Sequence, residues 1–108
     1  MSIVALRQPR QVLFDRAELL IIMQLYGEMV AAGQWRDYAL TFNGDCAAFS
    51  AFQRHSERPD FRLIKDPALR LRQGQYSLLG AAGQILKRGN DLQAVLAPAK
   101  RRLLKLVN

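Results

Sequence analysis

The sequence contains a single cysteine and a single histidine, and these scarcities exclude several kinds of site. With Cys46 alone, the chain can form no intrachain disulfide and no zinc site with four thiolate ligands. With His55 alone, a metal site built on histidines and a histidine dyad are both excluded. The sequence therefore predicts no bound metal.

Long apolar runs are also missing. The longest uncharged apolar stretch, residues 19–27, is about half the length that a helix needs to cross a bilayer. Residues 1–10 hold too short an apolar run for a secretory signal, and they contain no cleavage-like site. The seven glycines match neither a Walker loop nor a dinucleotide fingerprint. We therefore expect no membrane insertion, no cofactor and a cytoplasmic location.

Acidic side chains are scarce in the second half of the chain. The net charge is +7, but residues 1–50 carry net −1 and residues 51–108 carry net +8. Such an asymmetry is typical of proteins that bind a polyanion, which could be nucleic acid, an anionic membrane surface or an acidic protein. The alternative is a basic protein whose charges only keep it solvated.

An apolar pattern with helical spacing predicts a first helix over about residues 16–32. Asp15 followed by Glu18 resembles a capping box, and Gly33 lies where a glycine commonly ends a helix. The apolar positions on its core face are Leu19, Ile22, Met23, Tyr26, Met29 and Val30.

The same helix has a second apolar stripe, made by Ile21 and Leu25. The sequence leaves Glu18, Gln24 and Glu28 as its only clearly solvent-facing positions. A helix that is apolar on most sides is either central in the fold or covered by a partner. We therefore consider a homodimer or another protein interface through Ile21 and Leu25.

Asn43-Gly44 predicts a two-residue hairpin turn, because both central residues of such a turn need a positive φ. A two-residue loop pairs Phe42 with Asp45 and Tyr38 with Phe49. The expected core face of the hairpin is Tyr38, Leu40, Phe42, Ala47, Phe49 and Ala51.

The remaining pattern completes an α+β fold. We expect a third strand over 61–65, a short helical turn at Pro67 and another hairpin over 76–87. An apolar face with helical spacing follows from residue 92, and Pro98 must kink or restart that helix. The prediction is an N-terminal helix, an antiparallel sheet of four to five strands built from hairpins, and a C-terminal helix. Residues 1–11 are expected to form an N-terminal arm, and residues 12–108 a single domain.

Several motifs resemble one known family. They are YGEMVAAGQWRDYALTFNGDCAAFSAF at 26–52, RHSERP at 54–59, IKDP at 64–67, QGQYS at 73–77 and GQILKRG at 83–89. Over about residues 12–97 the chain is similar to the small alphaproteobacterial proteins of domain-of-unknown-function family 2794. The resemblance implies a compact intracellular domain with no assigned activity.

Basic side chains are the strongest functional signal. Arginine suits phosphate because its planar fork donates two parallel hydrogen bonds. Phe52, Phe61 and Tyr76 lie among the basic residues, so stacking on single-stranded bases is conceivable. A non-catalytic nucleic-acid-binding module with little base specificity is therefore the leading hypothesis, and a protein-interaction or regulatory adaptor is the alternative. The candidate nucleic-acid-binding residues are Arg54, Arg58, Arg62, Lys65, Arg70, Arg72, Lys87 and Arg88.

No constellation supports catalysis, and no catalytic residue is predicted. His55 and Ser56 are neighbours, so on an extended chain they point to opposite faces and form no triad. An enzyme would need a pocket that the sequence alone cannot establish, and its candidate residues are Trp35, Asp37, His55 and Glu57. Trp35 is better explained as a core residue, and Cys46 as a half-buried small residue.

Overall fold

The computed structural model describes residues 11–107, with side chains through residue 105. The predicted N-terminal arm, residues 1–11, lies almost wholly outside the described residues. A short 3₁₀ turn, Pro67–Leu69, separates the third strand from the fourth. The helices and strands, in chain order, are α1 Arg16–Ala31, β1 Asp37–Phe42, β2 Ala47–Phe52, β3 Phe61–Lys65, β4 Tyr76–Leu79, β5 Ile85–Gly89, α2 Leu92–Val95 and α3 Ala97–Val107. The predicted α+β class is confirmed.

Helix α1 begins and ends at the residues that the sequence indicated. The amide of Glu18 donates to Asp15 Oδ1 at 2.8 Å, and the amide of Asp15 donates to Glu18 Oε1 at 2.7 Å. This reciprocal pair is a capping box, which satisfies amides that have no partner inside the helix. At the other end Gly33 adopts φ +76°, a conformation in which a Cβ would be strained.

The five strands form one antiparallel sheet in the order β1-β2-β3-β4-β5. Each strand pairs with its neighbour in sequence, so the sheet is a simple meander built from hairpins. The first hairpin register was predicted wrongly: Phe42 pairs with Ala47 and Tyr38 with Ala51. The loop has four residues instead of two, because Asn43 Oδ1 accepts the amide of Cys46 at 3.0 Å and closes a wider turn. The register moves by two residues, so every side chain stays on its expected face.

The helices pack on one face of this sheet, called the inner face below. The buried cluster joins Phe49, Leu63 and Leu78 of the strands to Met29 of α1 and Val95 of α2. Buried residues of the outer face, such as Ala48, are not part of that cluster. The inner face therefore carries the core, and no described helix belongs to a core on the outer face.

The C-terminal segment divides at Pro98, as the sequence predicted. Asp91 caps the short helix α2 by accepting the amide of Gln93 at 3.1 Å, and α3 starts at Ala97. Proline is tolerated in the first turn of a helix, because the amide it lacks would be unpaired there.

The second stripe of α1 packs within the chain itself. Leu25 is only 2% exposed, and Ile21 is half-buried against the core. Helix α1 contacts both α2 and α3, and a shared groove brings Gln93 and Lys100 of these helices beside Ile21 and Leu25. The chain's own C-terminal helices contact the stripe, which favours the alternative that the helix is central in the fold.

Candidate polyanion-binding groove

The basic residues of the second half do not form one patch. Arg54 and Arg58 lie in the β2–β3 loop, and Arg62 follows at the start of β3. Arg70 and Arg72 follow the 3₁₀ turn after the far end of the same strand. With a rise of about 3.3 Å per residue, a five-residue strand separates the two groups by about 15 Å. The sheet therefore has two basic ends.

The strand residues divide between the two faces of the sheet. Arg88 pairs with Ser77 across the outer face, and its guanidinium donates to Gln73. Lys87 pairs with Leu78, which is a core residue of the inner face. Alternation along β5 thus places these two consecutive basic residues on opposite faces.

The ammonium group of Lys65 is not available to a ligand, because it forms an ion pair inside the protein. Its Nζ lies 2.7 Å from Glu18 Oε1 and also donates to the carbonyl of Leu13 at 2.9 Å. The hydroxyl of Tyr76 donates to the other oxygen of Glu18. Glu18, expected to face solvent, is instead buried, because these partners compensate the burial of its charge. Burial and then the hydrogen bond to Glu18 raise the pKa of Tyr76 well above its ordinary value.

Three adjoining depressions lie at the end of the sheet formed by the β2–β3 loop. The first, of about 380 Å³, is lined by Arg36, Asp37, Phe52, Gln53, His55 and Ser56. The second, of about 330 Å³, shares Gln53 and Ser56 with the first and adds Arg58. The third, of about 230 Å³, shares Pro59 with the second and adds Arg62. Neighbouring depressions share wall residues, so they lie side by side along this end of the sheet, and together they are called the end groove below.

Arg62 also reaches the open outer face of the sheet. A fourth depression, of about 230 Å³, is lined by Arg62 together with Thr41, Cys46 and Ala48. Arg62 pairs across the sheet with Ser50 of β2. Arg62 therefore lines both the end groove and the depression on the outer face.

The β2–β3 loop is shaped by local hydrogen bonds. Ser56 Oγ donates to the carbonyl of Arg58 at 2.9 Å, which holds Arg58 at the groove wall. His55 has φ +61°, the only positive φ of a non-glycine residue in residues 11–107. Such a backbone conformation is strained for a residue with a Cβ, so the loop holds His55 against a local cost of roughly 1–3 kcal/mol.

The carboxylate of Asp60 in the groove wall is already neutralised. Trp35 Nε1 donates to Asp60 Oδ2 at 2.8 Å, and the guanidinium of Arg102, from α3, forms a two-pronged ion pair with the same carboxylate. Arg102 also lies 4.9 Å from the centre of the Phe61 ring. This cluster fixes α3 to the start of β3, and it leaves Asp60 with little charge to repel an anion.

The four residues of the candidate enzyme pocket do not converge. Asp37 and His55 line the same depression, but Trp35 is 3% exposed and belongs to the core. Glu57 is exposed and is not a lining residue of the described depressions. Among residues 11–107, no three His, Cys, Asp or Glu side chains are grouped so that they could hold a metal ion.

The three aromatic residues considered for base stacking differ in their exposure. Phe61 and Tyr76 are buried in the core, so neither can stack on a base. Phe52 is half-buried and lines the first depression beside Arg36. Cys46 is half-buried near Asp66, and burial, followed by that carboxylate, raises the pKa of its thiol.

Arg36 is the groove residue that sequence reasoning missed. It lies in the acidic half of the chain, and its amide donates to the carbonyl of Phe52 at 2.8 Å, which holds it beside the end of β2. The signal available was the hairpin itself, since the residue before β1 must lie beside the end of β2.

In the described part of the chain, no helix is long and apolar enough to cross a membrane. A family model described as "Protein of unknown function (DUF2794)" matches residues 12–96. Comparison with curated proteins gives no match, and comparison with solved structures gives none either.

Proposed function

Since this chain belongs to the DUF2794 family, whose description assigns no activity, we propose that it is a non-catalytic module that binds nucleic acid with little base specificity. The end groove is the proposed binding site. The observation that carries the proposal is that Arg36, Arg58 and Arg62 line adjoining depressions at one end of the sheet.

These three arginines are exposed, and the two ion pairs found among the described residues use other cations. Their guanidinium groups therefore keep their hydrogen-bond donors for a ligand. An arginine fork matches two oxygens of a phosphate, and several forks along one groove suit a repeating phosphodiester. Phosphate contacts position a nucleic acid without reading its sequence, which is why little base specificity is proposed.

The test is fluorescence anisotropy of labelled single- and double-stranded oligonucleotides at about 50 and 200 mM salt, the range in which phosphate contacts weaken most. Arg58→Ala with Arg62→Ala is compared with Arg70→Ala with Arg72→Ala. Both double variants remove two positive charges from exposed side chains, but only the first alters the end groove.

We expect the groove variant to bind more weakly and to lose about one unit of salt slope per arginine. The control variant should bind nearly as the unchanged protein does. Equal losses of affinity in both variants would mean that binding depends on the overall positive charge and that the end groove is not the binding site. No binding at 50 mM salt would refute the proposal altogether.

The apolar stripe that motivated the adaptor alternative is accounted for within the chain, because Leu25 is in the core and Ile21 packs against it.

A further inference from the structure

The end groove has features that discriminate between forms of nucleic acid. Resting on the function proposed above, we infer that its ligand is single-stranded, and that one base stacks on Phe52 while the backbone follows Arg36, Arg58 and Arg62.

The arginines line a surface that a flexible strand can follow. Arg36 and Arg58 lie in the walls of concave depressions, and Arg62 lies where the groove passes onto the outer face of the sheet. A duplex is typically entered by a helix or a two-stranded ribbon that projects into its major groove. A flexible single strand can instead follow a groove of this kind, with its phosphates tracking the positive side chains.

An aromatic ring, that of Phe52, lies at the start of the groove. Base stacking on an aromatic side chain requires an unpaired base, and it tolerates any sequence. Phe52 lies beside Arg36 in the first depression, so stacking and phosphate binding would occur in adjacent positions. Of the other aromatic rings near this end of the sheet, Trp35 and Phe61 are buried, and Tyr38 is partly exposed but does not line the end groove.

The other walls of the end groove carry neutral polar side chains. Gln53 and Ser56 are shared by two of its depressions. Amide and hydroxyl groups can donate to bases and sugars, and also accept from them, in many geometries. Such walls suit the exposed edges of unpaired bases without selecting one sequence.

The width of the sheet limits the number of nucleotides that the groove can hold. The groove runs from the start of β1 to the β4–β5 turn, which is about three to four strand spacings of about 4.8 Å, or about 14–19 Å. At a stacked rise of about 3.4 Å per nucleotide, this corresponds to about four to six nucleotides.

The experiment compares a fluorescein-labelled mixed-sequence 12-nucleotide DNA with its own duplex, by anisotropy at about 50 mM salt. We expect the single strand to bind at least about tenfold more tightly. Unlabelled strands of three to eight nucleotides, used as competitors, should reach full potency near six.

The stacking residue is tested by Phe52→Leu, which keeps an apolar side chain in this half-buried position. Loss of one stacked base should weaken single-strand binding by about 5- to 150-fold. Phe52→Tyr should retain affinity, because a tyrosine ring also stacks. The matched control is Phe42→Leu, because Phe42 is also partly exposed but lies at the other end of the hairpin. Thermal unfolding of each variant checks that it is folded.

The outcomes separate this inference from the proposed function. Equal or tighter binding of the duplex would overturn the single-strand inference and leave nucleic-acid binding intact. Equal effects of Phe52→Leu and Phe42→Leu would overturn the path past Phe52. Failure of both the strand and the duplex to bind would overturn the inference and the proposed function together.

Discussion

At the scale of single residues, the structure depends on contacts between polar side chains that are far apart in sequence. Glu18, Lys65 and Tyr76 meet between the start of α1 and the inner face of the sheet. The side chains of this cluster are mostly buried. Removing one partner of such a buried ion pair leaves the other charge uncompensated. It also anchors the segment before α1, through the contact of Lys65 with the carbonyl of Leu13.

The raised pKa of Tyr76 predicts a loss of stability in alkaline solution. In the unfolded chain a tyrosine loses its proton near pH 10, whereas folding keeps Tyr76 protonated to higher pH. Above about pH 10 the unfolded state therefore binds fewer protons than the folded state, and stability falls by up to about 1.4 kcal/mol per pH unit. Urea unfolding at pH 8 and 10.5 should show this fall, and Tyr76→Phe should reduce it.

A suitable control for this measurement is Tyr26→Phe. Burial also raises the pKa of Tyr26, but no described carboxylate accepts a hydrogen bond from its hydroxyl. We therefore expect Tyr26→Phe to change the alkaline slope less than Tyr76→Phe does. An identical slope in the Tyr76→Phe variant and the unchanged protein would contradict the assignment to Tyr76.

At the scale of elements, local patterns predicted most of the fold. The capping box, the strand 61–65, the turn at Pro67 and the restart at Pro98 are all decided by residues within a few positions of each other. The hairpin register was wrong because Asn43 can either enter a tight turn or cap a wider one with its side chain, and the sequence does not distinguish these.

The covering of α1 could not be predicted, because it depends on elements more than 60 residues away in sequence. Leu25 and Leu20 of this helix provide a matched pair, since Leu25 is 2% exposed and Leu20 is 63% exposed. We expect Leu25→Ala to lower the free energy of unfolding by about 2–5 kcal/mol, through lost burial and a residual cavity. Leu20→Ala should change it by less than about 0.5 kcal/mol.

Chemical denaturation of both alanine variants measures the difference directly. If Leu25→Ala were as mild as Leu20→Ala, the C-terminal helices would not be packed over α1, and an uncovered stripe would again be available to a partner.

At the scale of the whole molecule, the charge asymmetry of the sequence is not a spatial asymmetry. The basic half contributes Arg58 and Arg62 to one end of the sheet and Arg70 and Arg72 to the other. Arg36, from the acidic half, joins the first group because the hairpin folds it back beside Phe52. Counting charges along a chain could therefore suggest a polyanion partner, but it could not locate the groove.

Binding at one end of the sheet should stabilise the entire domain, because a ligand that binds only the folded state shifts the unfolding equilibrium. A single-stranded 12-nucleotide DNA at about 100 times its dissociation constant adds about 2.7 kcal/mol. For a domain of this size, that raises the midpoint of thermal unfolding by roughly 11 °C, at about 4 °C per kcal/mol. Differential scanning fluorimetry at about 50 mM salt should detect the increase in the unchanged protein and in the variant lacking Arg70 and Arg72. The variant lacking Arg58 and Arg62 should show little increase at the same DNA concentration, whereas an equal increase in both variants would place the bound strand elsewhere on the surface.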